Sequence, residues 1–128
     1  MKKQVISTDL APQAIGPYSQ AVKVGSLLFL SGQIPIDLKN NGSIFTGDIK
    51  KQTCIVMDNL KGLLESQKLS LDHVIKTTIY LTNMADFLLV NEVYGSYFKS
   101  NFPARATVAV KELPKGVGIE IEAIATCV

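Results

Sequence analysis

A small set of polar residues holds whatever chemistry this chain can do: Tyr18, Ser31, Gly32, Asn91, Arg105, Thr107 and Glu120. Arg105 stands apart from the rest. It follows Phe102-Pro103-Ala104 at the mouth of a strand, among small or apolar neighbours, and its five N–H donors have little polar company in the sequence. A planar carboxylate, held by two parallel charge-assisted hydrogen bonds, is the natural partner of a guanidinium so placed. Two sources are open. Glu120 or Glu122 can supply the acid from within the chain, or a substrate can bring it from outside. Each of the others has an ordinary reading beside the functional one. Tyr18 fits a core aromatic with its hydroxyl bonded, Ser31 a strand terminator, and Thr107 a strand filler. Glu120 fits a solvent-face carboxylate or the internal partner of Arg105. The Asn91 amide fits a bond to a neighbouring loop, because a buried amide without partners is costly.

The elements that must position these residues follow from the hydrophobic pattern. Gln4 to Ser7 reads as a short edge strand. Two prolines and a glycine stiffen the loop from Ala11 to Tyr18. A strand is expected from Ser19 to Val24, a hairpin turn at Gly25-Ser26, and a return strand over Leu27–Ser31 that is apolar on both faces. Gly32 at its end marks a place of close approach. A loop through Pro35 and Asn40-Asn41-Gly42 precedes a helix starting near Thr46 to Asp48, in which Ile49, Thr53, Val56, Leu60 and Leu63 recur at helical spacing. His73 to Leu81 is β-branched and aromatic, hence a strand. Asn83 is placed to cap a second helix, with Asp86 in its first turn and Phe87, Asn91, Tyr94 and Phe98 on one stripe. Asn101 to Ala125 forms two strands about a Pro/Gly turn, with Ile119-Glu120-Ile121-Glu122-Ala123 alternating at period two.

The order β-β-β-α-β-α-β-β describes one α+β domain over residues 1–128, a mixed sheet with both helices on one face. Two helices cover one face only, yet the strands Leu27–Leu30 and Ile75–Leu81 are apolar on both. The second face is therefore expected to be buried against other copies of the chain.

Composition narrows the class further. A length of 128 residues lets one domain bury about 65–70% of its unfolded surface. With 47% apolar and 19% charged residues, disorder is not expected. A net charge of +2 argues against nucleic acid or an anionic membrane as partner. No apolar run approaches the ~18 residues of a membrane span, and Met1 to Leu10 lacks the apolar core of a signal peptide. Cys54 and Cys127 show no metal or redox spacing, so two reduced thiols and a cytoplasmic location are expected. His73 is the one histidine, which excludes a multi-histidine metal site. Dinucleotide, P-loop and HExxH signatures are absent.

Four stretches together resemble the Rid (reactive intermediate deaminase, formerly YjgF) family, RidA branch. They are Ala14-Ile15-Gly16-Pro17-Tyr18-Ser19-Gln20-Ala21, Ser31-Gly32-Gln33-Ile34-Pro35, Phe102-Pro103-Ala104-Arg105 and Ile119-Glu120-Ile121-Glu122-Ala123-Ile124-Ala125. The match spans essentially the whole chain in order. The resemblance implies a chorismate-mutase-like fold and a homotrimer with clefts between subunits. It also implies a deaminase, free of cofactor and metal, that hydrolyses 2-aminoacrylate and related enamines or imines to 2-oxo acids and ammonia. Arg105 would then grip the substrate carboxylate and Glu120 place the attacking water. Tyr18, Ser31, Gly32, Asn91 and Thr107 would line the cleft. At an ordinary pKa of ~4.3 Glu120 is ionised at neutral pH and can accept a proton from that water. One position departs from the pattern: Thr107 stands where many RidA proteins carry cysteine, which argues against any covalent thiol mechanism here. The rival reading is a non-catalytic trimer that binds small carboxylates with the same Arg105. An RNA-acting role, attached to some members of the family, lacks a basic and aromatic patch in this sequence.

Overall fold

The computed structural model describes residues 2–127. Eight strands and two helices follow along the described chain, starting with β1 (Gln4–Ile6), β2 (Ala21–Val24) and β3 (Leu27–Gln33). A small hairpin of β4 (Ile36–Asp37) and β5 (Ser43–Ile44) precedes α1 (Ile49–Ser66). Then come β6 (Val74–Leu81), α2 (Phe87–Ser96), β7 (Ala104–Ala109) and β8 (Ile119–Thr126). Six strands form one sheet in the order β1-β2-β3-β8-β6-β7. Every pairing in it is antiparallel except β6 with β7, which α2 joins as a crossover. This is the α+β arrangement expected from the sequence, a mixed sheet with both helices on one face.

Local chemistry explains the boundaries. Gly25 adopts φ 57° in the β2–β3 turn, a conformation that costs glycine nothing. Asp48 caps α1 by accepting from the Lys51 N–H at 3.3 Å. Asn83 accepts from the Ala85 N–H at 3.0 Å, so the expected cap exists, but it opens a 3-10 turn over Met84–Asp86 that runs into α2. Differences from the sequence reading are local: β3 runs on to Gln33 and α2 ends at Ser96, before Phe98. Ser19 and Gln20 lie outside β2, because the Gln20 side chain is committed to the preceding loop. The strand expected from His73 begins at Val74, since His73 closes a 3-10 turn capped by Ser70. The β4–β5 hairpin was unforeseen, as two-residue strands leave no periodic signal.

The core lies between sheet and helices. Val56, Met57, Leu60, Leu63 and Leu64 of α1 are fully buried, with Leu28 of β3, Ile79 and Leu81 of β6, and Ile119 and Ile121 of β8. Burying each such side chain contributes about 1.5–3 kcal/mol. Gly62 brings α1 so close to the leading arm that a Cβ there would overlap the Leu10 carbonyl. That arm is organised by one amide. Gln20 Nε2 donates to the carbonyls of Thr8, Ala11 and Pro12, while its Oε1 accepts from the Thr8 N–H.

The opposite sheet face has no helix over it. Val5 (57% exposed), Phe29 (40%) and Val108 (43%) stand on it, together with the two glutamates of β8. No helix among the described residues is long and apolar enough to cross a membrane.

Candidate functional site

Strand register decides which site residues can meet. Arg105 of β7 lies beside Thr77 of β6, and Glu120 of β8 lies beside Tyr80 of β6. Residues 77 and 80 are three apart on one strand, so their side chains point to opposite faces. Thr77 is buried on the helix side, where its hydroxyl and that of Tyr94 on α2 share a 2.7 Å hydrogen bond. Arg105 therefore stands on the helix side and Glu120 on the open face. The internal ion pair between Arg105 and Glu120 or Glu122, one of the two sources open in the sequence, does not form.

Arg105 instead occupies an exposed position over aromatic rings. Its guanidinium carbon is 5.1 Å from the Tyr94 ring centre and 5.7 Å from that of Phe87. Such stacking holds the cation in place yet leaves its in-plane donors available. The only ion pair recorded among the described residues is Lys50 with Glu92, between the two helices. A cavity of about 280 Å³ opens in front of Arg105, lined also by Asn91, Tyr94, Gly95, Phe102 and Pro103. Tyr94 packs on Phe98 at 5.0 Å, and Phe98 on Phe102 at 5.9 Å, so a ladder of rings builds the apolar wall. Asn91 Oδ1 is buried with no hydrogen-bond partner among the described residues. The neighbouring loop expected to satisfy it does not do so. Thr107 shares the helix side with Arg105, two residues along β7, and its Oγ1 is likewise buried and unpartnered.

A second group gathers on the open face. The bulge between Leu30 and Gln33 places Ser31 and Gly32 against β8. A Cβ on Gly32 would collide with the Glu120 carboxylate. Gly32 has no positive φ, so its smallness provides room rather than conformation. Ser31 donates its hydroxyl to the Ser19 carbonyl, and its N–H donates to the Gln20 carbonyl at 3.0 Å. These bonds tie the Tyr18 loop to the strand that carries Gly32. Tyr18 itself is 53% exposed, and its hydroxyl accepts from the Ile15 N–H at 3.4 Å. Half-burial raises the Glu120 pKa above its ordinary value, and the nearby Glu122 charge raises it further. The ordinary value assumed from the sequence is thus too low. Tyr80 was not singled out in the sequence, and Glu122 only as a possible internal partner of Arg105. Tyr80 donates its hydroxyl to Glu122 Oε1 at 3.2 Å, beside Glu120. The alternation Ile119–Ala123 marked both glutamates as sharing a face, but no signal reached Tyr80 across the sheet.

The structure thus sorts the expected residues into two halves: Asn91, Arg105 and Thr107 on the helix side of the sheet, Gly32 and Glu120 on the open face, with Ser31 tying the Tyr18 loop to the second. A larger depression of about 360 Å³ lies elsewhere, between α1 and the end of α2. Its walls mix Lys61 and Lys99 with Glu65 and Asp72, opposed charges with no common focus.

Comparison with known proteins bears on the fold and the family. The profile of the family described as Endoribonuclease L-PSP matches residues 8–127. A RutC family protein of Pyrococcus horikoshii is 57% identical over 96% of this chain and 97% of its own. The human protein named 2-iminobutanoate/2-iminopropanoate deaminase is 46% identical over 96% of this chain and 89% of its own. The crystal structure of a Rid family protein from Yersinia pestis, of unknown function, superposes with a TM-score of 0.93. It is 47% identical and covers 98% of this chain and 99% of that one. On fold, coverage and identity together, this chain belongs to the Rid (YjgF) family.

Proposed function

We propose that the protein is a deaminase that needs no cofactor, hydrolysing 2-aminoacrylate and related 2-imino acids to 2-oxo acids and ammonia. The observation that carries this reading is an unpaired guanidinium facing a cavity with apolar walls. The human relative's name supports the substrate class. The Arg105 fork takes the substrate carboxylate through two parallel bonds. An enamine becomes an imine when its carbon accepts a proton and its nitrogen releases one, and the imine carbon is already electrophilic. Glu120 takes a proton from water as the water oxygen bonds to that carbon, and the imine nitrogen is protonated. The resulting carbinolamine loses ammonia as its hydroxyl proton passes to the amino nitrogen, leaving the carbonyl. The uncatalysed reaction is spontaneous, so orientation and one proton transfer are enough to accelerate it. A raised Glu120 pKa makes that carboxylate a better base.

One chain cannot bring Arg105 and Glu120 to the same substrate, because they stand on opposite sides of the sheet. The reading therefore includes assembly: a homotrimer in which Arg105, Asn91 and Thr107 of one copy face Tyr18, Gly32 and Glu120 of the next. The helix-free sheet face, with Val5, Phe29 and Val108 exposed, supports such burial between copies. The family description Endoribonuclease L-PSP raises RNA cleavage as another activity. Glu120 and Glu122 would repel a phosphodiester backbone, and a single cation faces the cavity, so the imine reading is preferred.

The test couples the purified protein to a dehydratase that generates 2-aminoacrylate and follows pyruvate. Wild type is expected to speed pyruvate formation above the spontaneous rate, and Arg105→Ala to abolish that acceleration while the oligomer persists. No acceleration by well-folded wild type would leave a carboxylate-binding module as the better reading.

A further inference from the structure

Two carboxylates sit side by side on β8, yet the protein treats them differently. Glu120 and Glu122 are two apart on one strand and share the open face. The ladder puts Tyr80 beside Glu120 and Thr78 beside Glu122. The Tyr80 hydroxyl nevertheless crosses to Glu122, donating to its Oε1 at 3.2 Å. Among the described residues no hydrogen bond to the Glu120 carboxylate is recorded, and Gly32 is kept small beside it. One carboxylate has its charge supported by a phenol donor, and the other is left half-buried without such support.

We propose that Tyr80 and Glu122 are positioning residues, which hold a fixed negative charge beside Glu120 and so set how strongly Glu120 takes up a proton. For its role in turnover the inference rests on Glu120 as the base of the reaction proposed above. The surroundings supply little else to compete with Glu122. From β3 come Ser31 and Gly32, both uncharged, and from β7 Ala106 and Val108. Among the described residues Lys76 on β6 is the one cation on this part of the face, and its Nζ is engaged with Thr78 Oγ1 at 2.9 Å. In the assembly proposed above, the next copy's Arg105 faces Glu120 across the substrate, and it is the same in wild type and in every variant below. Tyr80 remains a phenol donor throughout, because burial and the Glu122 charge push its pKa upward. Pairs of acids whose environments pull their proton affinities apart are how one site separates a base from a bystander.

The test does not need turnover. Glutamate carboxyl carbons are labelled with ¹³C and titrated by NMR, Glu120 being assigned from the resonance lost in Glu120→Gln. In Glu122→Gln the Glu120 midpoint is expected to fall toward the ordinary glutamate value, and in Tyr80→Phe, where Glu122 loses its tether, to fall less far. Glu112→Gln, at an exposed carboxylate on another segment, is expected to leave Glu120 unmoved. An unchanged Glu120 midpoint in Glu122→Gln overturns the proposal, as does an equal fall in Glu112→Gln. Both results are readable even if the protein hydrolyses no imine, so this failure and that of the deaminase reading are separate. In active enzyme, Glu122→Gln moves the acid limb of kcat/KM to lower pH, and Glu122→Asp restores it. A limb that stays in place removes the pair from the reaction.

Discussion

The two halves of the candidate site are built on opposite principles. Around Arg105 a single cation is stacked on Tyr94 and Phe87, walled by Phe102 and Pro103, and offered no carboxylate by its own chain. Around Glu120 the chain gathers acids and hydroxyls, with Gly32 removing the bulk between them. The first half is incomplete because it lacks an anion, and the second because it lacks a cation. Neither is a finished active site. On the proposed reading, the sheet separates recognition of the acid group from placement of the water, and assembly rejoins them.

The largest effects test whether the halves work together across copies. Arg105→Ala and Glu120→Gln are each expected to lower kcat/KM by roughly a hundredfold or more, the first by losing the bidentate grip and the second the base. Co-expressed, the two variants should recover about a quarter of wild-type activity, since random mixing pairs an intact Arg105 with an intact Glu120 in one cleft of four. Recovery to that level can arise only when the halves come from different copies. Mixed samples as inactive as the single variants would place the whole reaction within one chain and break the comparison.

Gly32→Ala probes the acidic half alone. The added methyl collides with the Glu120 carboxylate, so kcat is expected to fall roughly tenfold while KM stays near wild type. A rise in KM without loss of kcat would move Gly32 to substrate binding. Tyr94→Phe probes the wall of the other half. It keeps the ring beneath Arg105 but leaves the buried Thr77 hydroxyl unbonded, costing about 1–2 kcal/mol in a urea titration with little change in activity. Unchanged stability would show that Thr77 finds another acceptor.

The smallest effect is a linkage. The folded Glu120 pKa lies above its unfolded value, so the folded state holds that proton longer as pH rises. Its contribution to stability therefore falls as pH climbs from the ordinary glutamate range through the raised folded value. Glu120→Gln should gain stability relative to wild type above that window and lose the advantage below it. Urea midpoints of the two proteins across mildly acidic pH test this, and a constant difference would contradict the raised pKa.

Much of this was legible in the residue order. The alternation in Ile119–Ala123, the helical stripe from Ile49 to Leu63 and the Gly25-Ser26 turn led to the right elements, since each follows from local period or backbone freedom. Arg105 was legible because a cation among apolar residues has few ways to be satisfied. What could not be read was face. Whether Arg105 and Glu120 share a side depends on how β6 pairs with β7 and β8, a long-range register that neither segment encodes alone. Asn91 shows the same limit, for its expected loop partner was a matter of geometry and not of spacing. The Tyr80–Glu122 bond joins residues 42 apart in the chain and left no local trace.

The amide of Gln20 has a consequence for chemical ageing. Conversion of that side chain to a carboxylate would exchange its donors for a second acceptor, facing the carbonyls of Thr8, Ala11 and Pro12 that it now gathers. Oxygen would then confront oxygen in a buried place, and the leading arm would lose its anchor. Because Ser19 and Tyr18 adjoin that anchor, a lesson written in one slow hydrolysis would reach the aromatic at the rim while leaving the sheet intact.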